Sequence, residues 1–536
     1  MLHFEDRQSG KKSGRSLTAL LPLLLLLVVG CDSHVHKDRI ISLEAFSDMK
    51  TPAFVLSASD IYQQLHQIAN ADDSQMEADR EVCKYYKAEN APLLWVERIG
   101  VGQRADSLLA WLHQLGEIGM SEQTFGVKAI ENDLNIFRTL AFDEDKNKAN
   151  QVAARLEYRL TKACMRYCYG QRFGFVNPHR MLNNLDVEKQ DTARNYIKYR
   201  GLFDVAIDSP GEHYASLVRR KIMNDSIAAY LSEIQPKDAF YQKLKSMLTQ
   251  ASTPEQRQRI MVNMERSRWR RHQPIDAESK RIVVNIPAYH LYAYSPQETL
   301  DMRVVCGNVK TKTPQLSSNI EWMEANPQWV IPTSIIENEV AHRAGDSAYF
   351  ARNRYVIVDK ATNQPVDSRL VSRQMLLSGK YRVAQQGGAG NSMGRIVFRF
   401  KNNFSVFLHD TSNPSAFQRN SRAMSHGCVR VSKPFELARF VLDSPDDWLL
   451  DRIRIAMGME PETDQGMEWI RSHSSEDGQK NQESRNKIIS YIPVKPRVPL
   501  YIIYYTLWPD EAGVLQTWPD VYGYDKVMWN QLKLYV

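Results

Sequence analysis

No stretch after residue 31 is long and apolar enough to span a bilayer, which excludes a multi-span membrane protein. The chain has no internal repeat, and its basic residues form no clustered stripe of the kind that binds nucleic acid. Metal-ligand spacing is missing as well: His34 and His36 have no partners at a distance that would complete a site, and nothing else calls for a cofactor. Cysteine is scarce, with six in 536 residues. What is present, 43% hydrophobic and 24% charged residues, describes a globular protein rather than a disordered or fibrous one. At ~150 residues per domain the length implies three or four units.

The first thirty residues stand apart. Arg7, Lys11, Lys12 and Arg15 precede an apolar run from Leu17 to Val29 that ends at Gly30-Cys31, the pattern of an export signal. Val28-Val29-Gly30-Cys31 resembles a bacterial lipobox, in which Cys31 would carry the lipid and begin the mature chain. A plain signal peptide or an uncleaved anchor helix are the alternatives. The lipid and anchor readings both predict a protein tethered to a membrane outside the cytoplasm. Removal of residues 1–30 takes away four basic and two acidic side chains and lowers the formal charge from +7 to +5. That mild excess suits an anionic neighbour such as cell-wall polymer or lipid headgroups.

The pattern predicts an α+β multidomain chain. A linker over 31–57 leads to an all-α scaffold over 58–275, where Leu108, Leu109, Trp111, Leu112 and Leu115 form one amphipathic stripe and Ala154 to Tyr167 another. Further helices are expected at 213–233, 237–250 and 254–268, the last opened by Thr253-Pro254-Glu255. Near residue 280 the period changes to that of strands. A mainly β domain over 276–457 is expected, with strands at 281–286, 291–294, 302–306, 355–359, 395–400 and 404–409 and a mixed flap insertion over 333–377. Residues 458–488 read as a polar connection with a short helix around Trp469, and 489–536 as a C-terminal strand segment on the β domain, its Trp508, Trp518, Tyr522 and Tyr524 serving as packing.

Setting Cys31 aside leaves Cys83, Cys164, Cys168, Cys306 and Cys428. Cys164 and Cys168 fall on a helical core face, and Cys306 ends an apolar strand, so burial is expected for all three. A disulfide from Cys83 to Cys164 or Cys168 stays open on the sequence. Cys428 alone has catalytic neighbours, in Ser425-His426-Gly427-Cys428-Val429-Arg430, with Leu408-His409-Asp410-Thr411 upstream. A free thiol has a pKa of about 8.5, so attack on a carbonyl needs an imidazole and positive charge nearby. Strand alternation sets Ser405, Phe407 and His409 on the face opposite Phe404, Val406 and Leu408, and puts His426, Cys428 and Arg430 on a common side. Because Cα atoms two strand steps apart are ~6.6 Å apart, His426 would have to fold along its own strand to reach the sulfur. His409 is therefore favoured as general base, with His426 positioning the loop. Backbone N–H groups near Gly427 and Cys428 are candidate oxyanion donors. Arg430 has two uses open to it, a substrate carboxylate or bracing of the loop.

The stretch from His409 to Arg430, with 19 residues from histidine to cysteine, resembles the signature of the L,D-transpeptidases with a YkuD-type catalytic domain. Asn326-Pro327-Gln328-Trp329-Val330-Ile331-Pro332 and the run from Gln386 to Arg395 are similar to further blocks of the large Gram-negative members with an N-terminal helical scaffold. The resemblance implies a periplasmic cysteine enzyme without metal or organic cofactor; the lipobox, which is not a general feature of the family, adds an anchor in the inner or outer membrane. It would form a Cys428 thioester with a peptidoglycan tetrapeptide stem, release D-alanine, and pass the acyl group to an acceptor amine. It also implies that carbapenems acylate the cysteine and that the insertion caps the cleft. L,D-carboxypeptidase action, attachment or detachment of a wall lipoprotein through the same thioester, and a catalytically weak scaffold lipoprotein are the competing readings. Cell-wall synthesis or lipoprotein partners would follow; nucleic acid would not.

Overall fold

The computed structural model describes residues 56–536 apart from 90, 98–99, 192–194, 277, 475–477 and 511. Cys31, the basic and apolar leader, His34 and His36 lie outside the described residues. Among the described residues no helix is long and apolar enough to cross a membrane.

The N-terminal region is built around the helix Ala149–Phe173, whose Val152, Leu156, Leu160 and Cys164 are buried. Helices Ala58–Ala71, Glu77–Tyr86 and Val127–Thr139 pack on it. A buried carboxylate locks the chain that runs past it: Glu157 accepts the Trp95 and Val96 N–H groups at 2.9 Å and the Tyr86 hydroxyl at 2.6 Å. The helices expected over 213–233 are two, Tyr214–Met223 and Ile227–Glu233; Ala239–Leu248 and Pro254–Arg268 follow. The region is helical but not purely so. It carries a strand pair Val187–Asp191 and Tyr196–Tyr199, and a short strand Phe203–Asp204 that joins the catalytic sheet.

The large sheet runs in the order Ile396–Phe400, Leu408–His409, Val429–Val431, Thr299–Gly307, His290–Tyr294, Arg281–Asn285, Tyr491–Ile503, Gln315–Ala325 and Phe203–Asp204. Ile396–Phe400 also pairs antiparallel with Gln315–Ala325, which closes the sheet into a barrel-like form. The C-terminal strand Tyr491–Ile503 is central to this closure: it lies between Arg281–Asn285, in parallel, and Gln315–Ala325, antiparallel. The chain then returns to the helical region, where Arg266 pairs with Asp525 at 2.6 Å and Tyr535 O accepts the Ser121 N–H at 2.9 Å.

The strand expected over 404–409 is reduced to Leu408–His409. Asn402 is the reason: its Oδ1 accepts the N–H groups of Phe404 at 2.9 Å and Val406 at 3.1 Å, and its Nδ2 donates to Val406 O at 2.9 Å. One side chain thus supplies the partners a neighbouring strand would offer, and Ser405 turns to φ +54°. The insertion is a small unit with its own sheet, Trp329–Val330, Tyr381–Gln385, Tyr355–Asp359 and Pro365–Val366, over a core that includes Ile335, Phe350, Ile357 and Val383. Its strands reach from 329 to 385, beyond the helical part at 333–377. At its root Asn326 Oδ1 accepts from Arg395 Nη1 at 2.9 Å, joining the two sequence blocks that flank it.

Candidate active site

The barrel places the motif residues by register. Leu408 pairs with Val429 and His409 with Arg430 in adjacent parallel strands, and both Leu408 and Val429 are fully buried. Side chains at paired positions share a face and alternate along each strand, so Phe407, His409, Cys428 and Arg430 are on the other side, facing a cleft. Val397 pairs with His409 on the next strand, which puts Arg399 on that face too. The cleft has a volume of about 830 Å³; His409, Cys428, Arg430 and Arg399 line it with Trp329, Ile336 and Tyr355 of the insertion.

A network of named bonds fixes the turn that carries the thiol. Ser425 Oγ donates to Cys428 O at 2.5 Å and accepts the Gly427 N–H at 3.1 Å, bridging the turn from inside. Gly427 has φ +119°, a conformation L side chains rarely adopt. From the neighbouring turn, Thr313 Oγ1 donates to Gly427 O at 2.8 Å, and Thr311 Oγ1 donates to Ser425 O at 2.9 Å. Thr313 is itself held by Tyr522, whose hydroxyl accepts the Thr313 N–H at 3.1 Å and donates to Gly307 O at 2.7 Å. The Gly427 N–H, expected as an oxyanion donor, is thus committed to Ser425.

Electrostatically the resting pair is neutral. Burial, with the positive charge of Arg430 beside it, brings the His409 imidazole down to about 4, while the backbone at Asp410 and Met393 works the other way. Its Nδ1 is buried without a hydrogen-bond partner. Burial raises the Cys428 thiol, against a backbone contact from Phe407 and the charges of Arg399 and Arg430. The thiol donates weakly to Ser405 O at 4.0 Å. A neutral imidazole can accept the thiol proton, and the two guanidinium groups favour the thiolate that results.

His426 is half exposed and lines the same cleft, its Nε2 3.1 Å from Glu339 of the insertion. The Arg430 side chain makes no hydrogen bond among the described residues, and its buried Nε is unpaired. Loop bracing falls to Arg422, which donates to Val304 O at 3.1 Å, Tyr289 O at 3.0 Å and Arg419 O at 2.9 Å. Of Arg430's two uses, bracing has no bond behind it among the described residues. Arg399, not singled out from the sequence, lies over Phe407 with 4.2 Å to the ring centroid and pairs with Glu324 at 2.7 Å. Cys83, Cys164, Cys168 and Cys306 are buried free thiols; Cys164 and Cys168 sulfurs are 4.0 Å apart and Cys83 Sγ is 3.1 Å from the Tyr158 hydroxyl.

Residues 279–458 match the family model of the L,D-transpeptidase catalytic domain, YkuD, and residues 80–248 match that of the Scaffold domain. A Haemophilus influenzae protein named "Putative L,D-transpeptidase" is 27% identical over 263 residues, 48% of each chain. The chain therefore spans about half the length of that curated relative. The chain thus carries a region that matches the L,D-transpeptidase catalytic domain, YkuD, behind a helical region that matches the Scaffold domain.

Proposed function

We propose that this protein is a peptidoglycan L,D-transpeptidase working through a thioester on Cys428. The observation that carries the reading is the shared face of His409, Cys428 and Arg430 on adjacent parallel strands, beneath the insertion. His409 takes the thiol proton, and the sulfur attacks the carbonyl carbon of the bond between the third stem residue and the terminal D-alanine. The Cys428 N–H donates to the developing oxyanion. Arg430 receives the D-alanine carboxylate, for which its planar fork is suited. On collapse the C–N bond breaks, His409 returns the proton to the departing amine, and D-alanine leaves a thioester behind. An amine on a neighbouring stem then attacks that carbonyl, His409 removes its proton, and the thiol is regenerated as the cross-link forms.

A Cys31-lipidated protein on the periplasmic side of the inner or outer membrane fits this chemistry, because the substrate lies in that compartment and an anchor holds the enzyme beside it. The test is direct. Protein lacking residues 1–31, incubated with disaccharide-tetrapeptide, releases D-alanine and yields cross-linked dimers, whereas Cys428→Ala yields neither. Full activity in Cys428→Ala overturns the mechanism. Product mass separates cross-links from hydrolysed tripeptide and from products joined to a protein amine.

A further inference from the structure

The antiparallel strands Val187–Asp191 and Tyr196–Tyr199 stand out from the helical region with their apolar side chains in solvent: Val187 is 53% exposed, Tyr196 52%, Ile197 42% and Tyr199 37%. Val187 is opposite Tyr199, and Tyr199 and Ile197 are two residues apart, so these three share one face. Two strands alone are marginally stable in water, and nothing among the described residues buries this face, so such exposure marks a contact surface.

The root of the strand pair is tied to the catalytic turn. Lys312 Nζ donates to Asp186 at 2.6 Å, Arg200 donates to Lys310 O, and Thr311 and Thr313 of that turn hold Ser425 O and Gly427 O. Val309, in the same turn, is 58% exposed. On the following side Asn403 Nδ2 donates to Asp204 at 2.8 Å, and the Phe404 ring lies against Gly201. Thr311 and Phe404 both line the cleft. The cleft thus has two kinds of wall: one from the insertion, and one that continues into the strand pair.

Transpeptidation needs two substrates to meet at one sulfur, and the donor must already occupy the cleft when the acceptor arrives. Resting on the function proposed above, we infer that the strand pair is a docking arm for the acceptor, a second peptidoglycan strand. Val187, Ile197 and Tyr199 offer flat apolar surface on one face for the C–H faces of its sugars, as amphipathic aromatic side chains do at wet interfaces. The turn beneath the strands carries the exposed Lys310, a cation suited to a stem carboxylate, whereas Lys198 already pairs with Glu188 at 2.9 Å. The rigid bonds at the root place this surface beside the nucleophile without adding a group to the chemistry.

Two measurements test the arm. In the first, the triple variant Val187→Ser, Ile197→Ser, Tyr199→Ser is given disaccharide-tetrapeptide. Total D-alanine release should stay within about twofold of wild type, while the ratio of cross-linked dimer to hydrolysed tripeptide falls at least about fivefold. Tyr199→Phe, which keeps the ring, should retain the ratio. In the second, Cys428→Ala protein is sedimented with purified sacculi, with and without the triple substitution, and the bound fraction should fall by a similar factor. An unchanged ratio, or unchanged sedimentation, overturns the arm and leaves the surface to another partner. Failure of wild type to release D-alanine would instead count against the proposed reaction, while the sedimentation result would still decide the arm.

Discussion

Tyr522 donates its hydroxyl to Gly307 O at 2.7 Å and accepts the Thr313 N–H at 3.1 Å, so a residue near the C-terminus holds the turn that holds the nucleophile. Tyr522→Phe keeps the ring and removes both bonds, leaving a buried carbonyl and a buried N–H without this partner. The cost should be about 1–3 kcal/mol of stability. Thermal unfolding checks that figure. Single-turnover acylation by a carbapenem should also slow, because Thr313 then holds Gly427 O less firmly.

The two histidines near the thiol should differ sharply. His409→Ala is expected to lower acylation by about 10²–10⁴-fold, the usual contribution of a general base. His426 is half exposed, and an exposed ion pair such as its contact with Glu339 contributes about 0–1 kcal/mol, so His426→Ala should change the rate no more than about fivefold. Stopped-flow or mass-resolved acylation distinguishes them, and a large loss in His426→Ala would reverse the assignment of roles.

Acid should destabilise the protein through His409. Its folded pKa is about 4, below the ordinary 6.5, so between these values the unfolded chain binds a proton that the native site does not. Stability from this group is present above pH 6.5 and is lost as pH falls toward 4, in total about 3 kcal/mol. Chemical denaturation from pH 7.5 to 4 should show that slope. His409→Gln should flatten the curve over the same window.

How much of this was legible depends on how far apart the contacting residues are in the chain. The thiol, its base and Arg430 lie within one short signature; alternation sets Cys428 and Arg430 on a common side of one strand and His409 on a face of another, and the parallel register joins those faces. The long strand Gln315–Ala325 gives no local signal, since Ser317, Ser318, Asn319, Glu321 and Glu324 mask its apolar Leu316, Ile320 and Met323. At 404–407 the residues favour a strand, and Asn402 overrides them through bonds that hydropathy does not report. Tyr522 read as packing because its role depends on partners more than 200 residues away. The placement of Tyr491–Ile503 in the middle of the sheet is likewise a long-range pairing, invisible to a local pattern.

Arg430 should set the requirement for a terminal carboxylate on the donor. Charge-assisted hydrogen bonds contribute about 1.5–3 kcal/mol, so Arg430→Gln should lower kcat/KM for a tetrapeptide donor by about 10–100-fold. A donor ending in D-alaninamide offers no carboxylate, and the same substitution should then have little further effect. Arg430→Lys should recover only part of the loss, because an ammonium cannot make the two parallel bonds of the fork. Equal losses on both donors would point to a bracing role, which the bonds of Arg422 already fill.

Gly427→Ala isolates backbone strain from steric crowding. A Cβ at this position would come no closer than 3.6 Å to any neighbour, so there is room for it. The difficulty is φ +119°, where a side chain costs about 1–3 kcal/mol. The turn can relieve that strain only by rotating, and rotation moves Gly427 O away from Thr313 Oγ1 and Cys428 N–H away from the oxyanion position. The variant should therefore unfold at a lower temperature and also acylate far more slowly than its loss of stability explains. Val429 donates its N–H to Phe407 O at 2.9 Å and anchors the strand beyond the turn, so the fold itself should persist. Acylation measured well below the melting temperature separates the two effects: a rate near wild type there would mean that the left-handed turn serves stability and not the reaction.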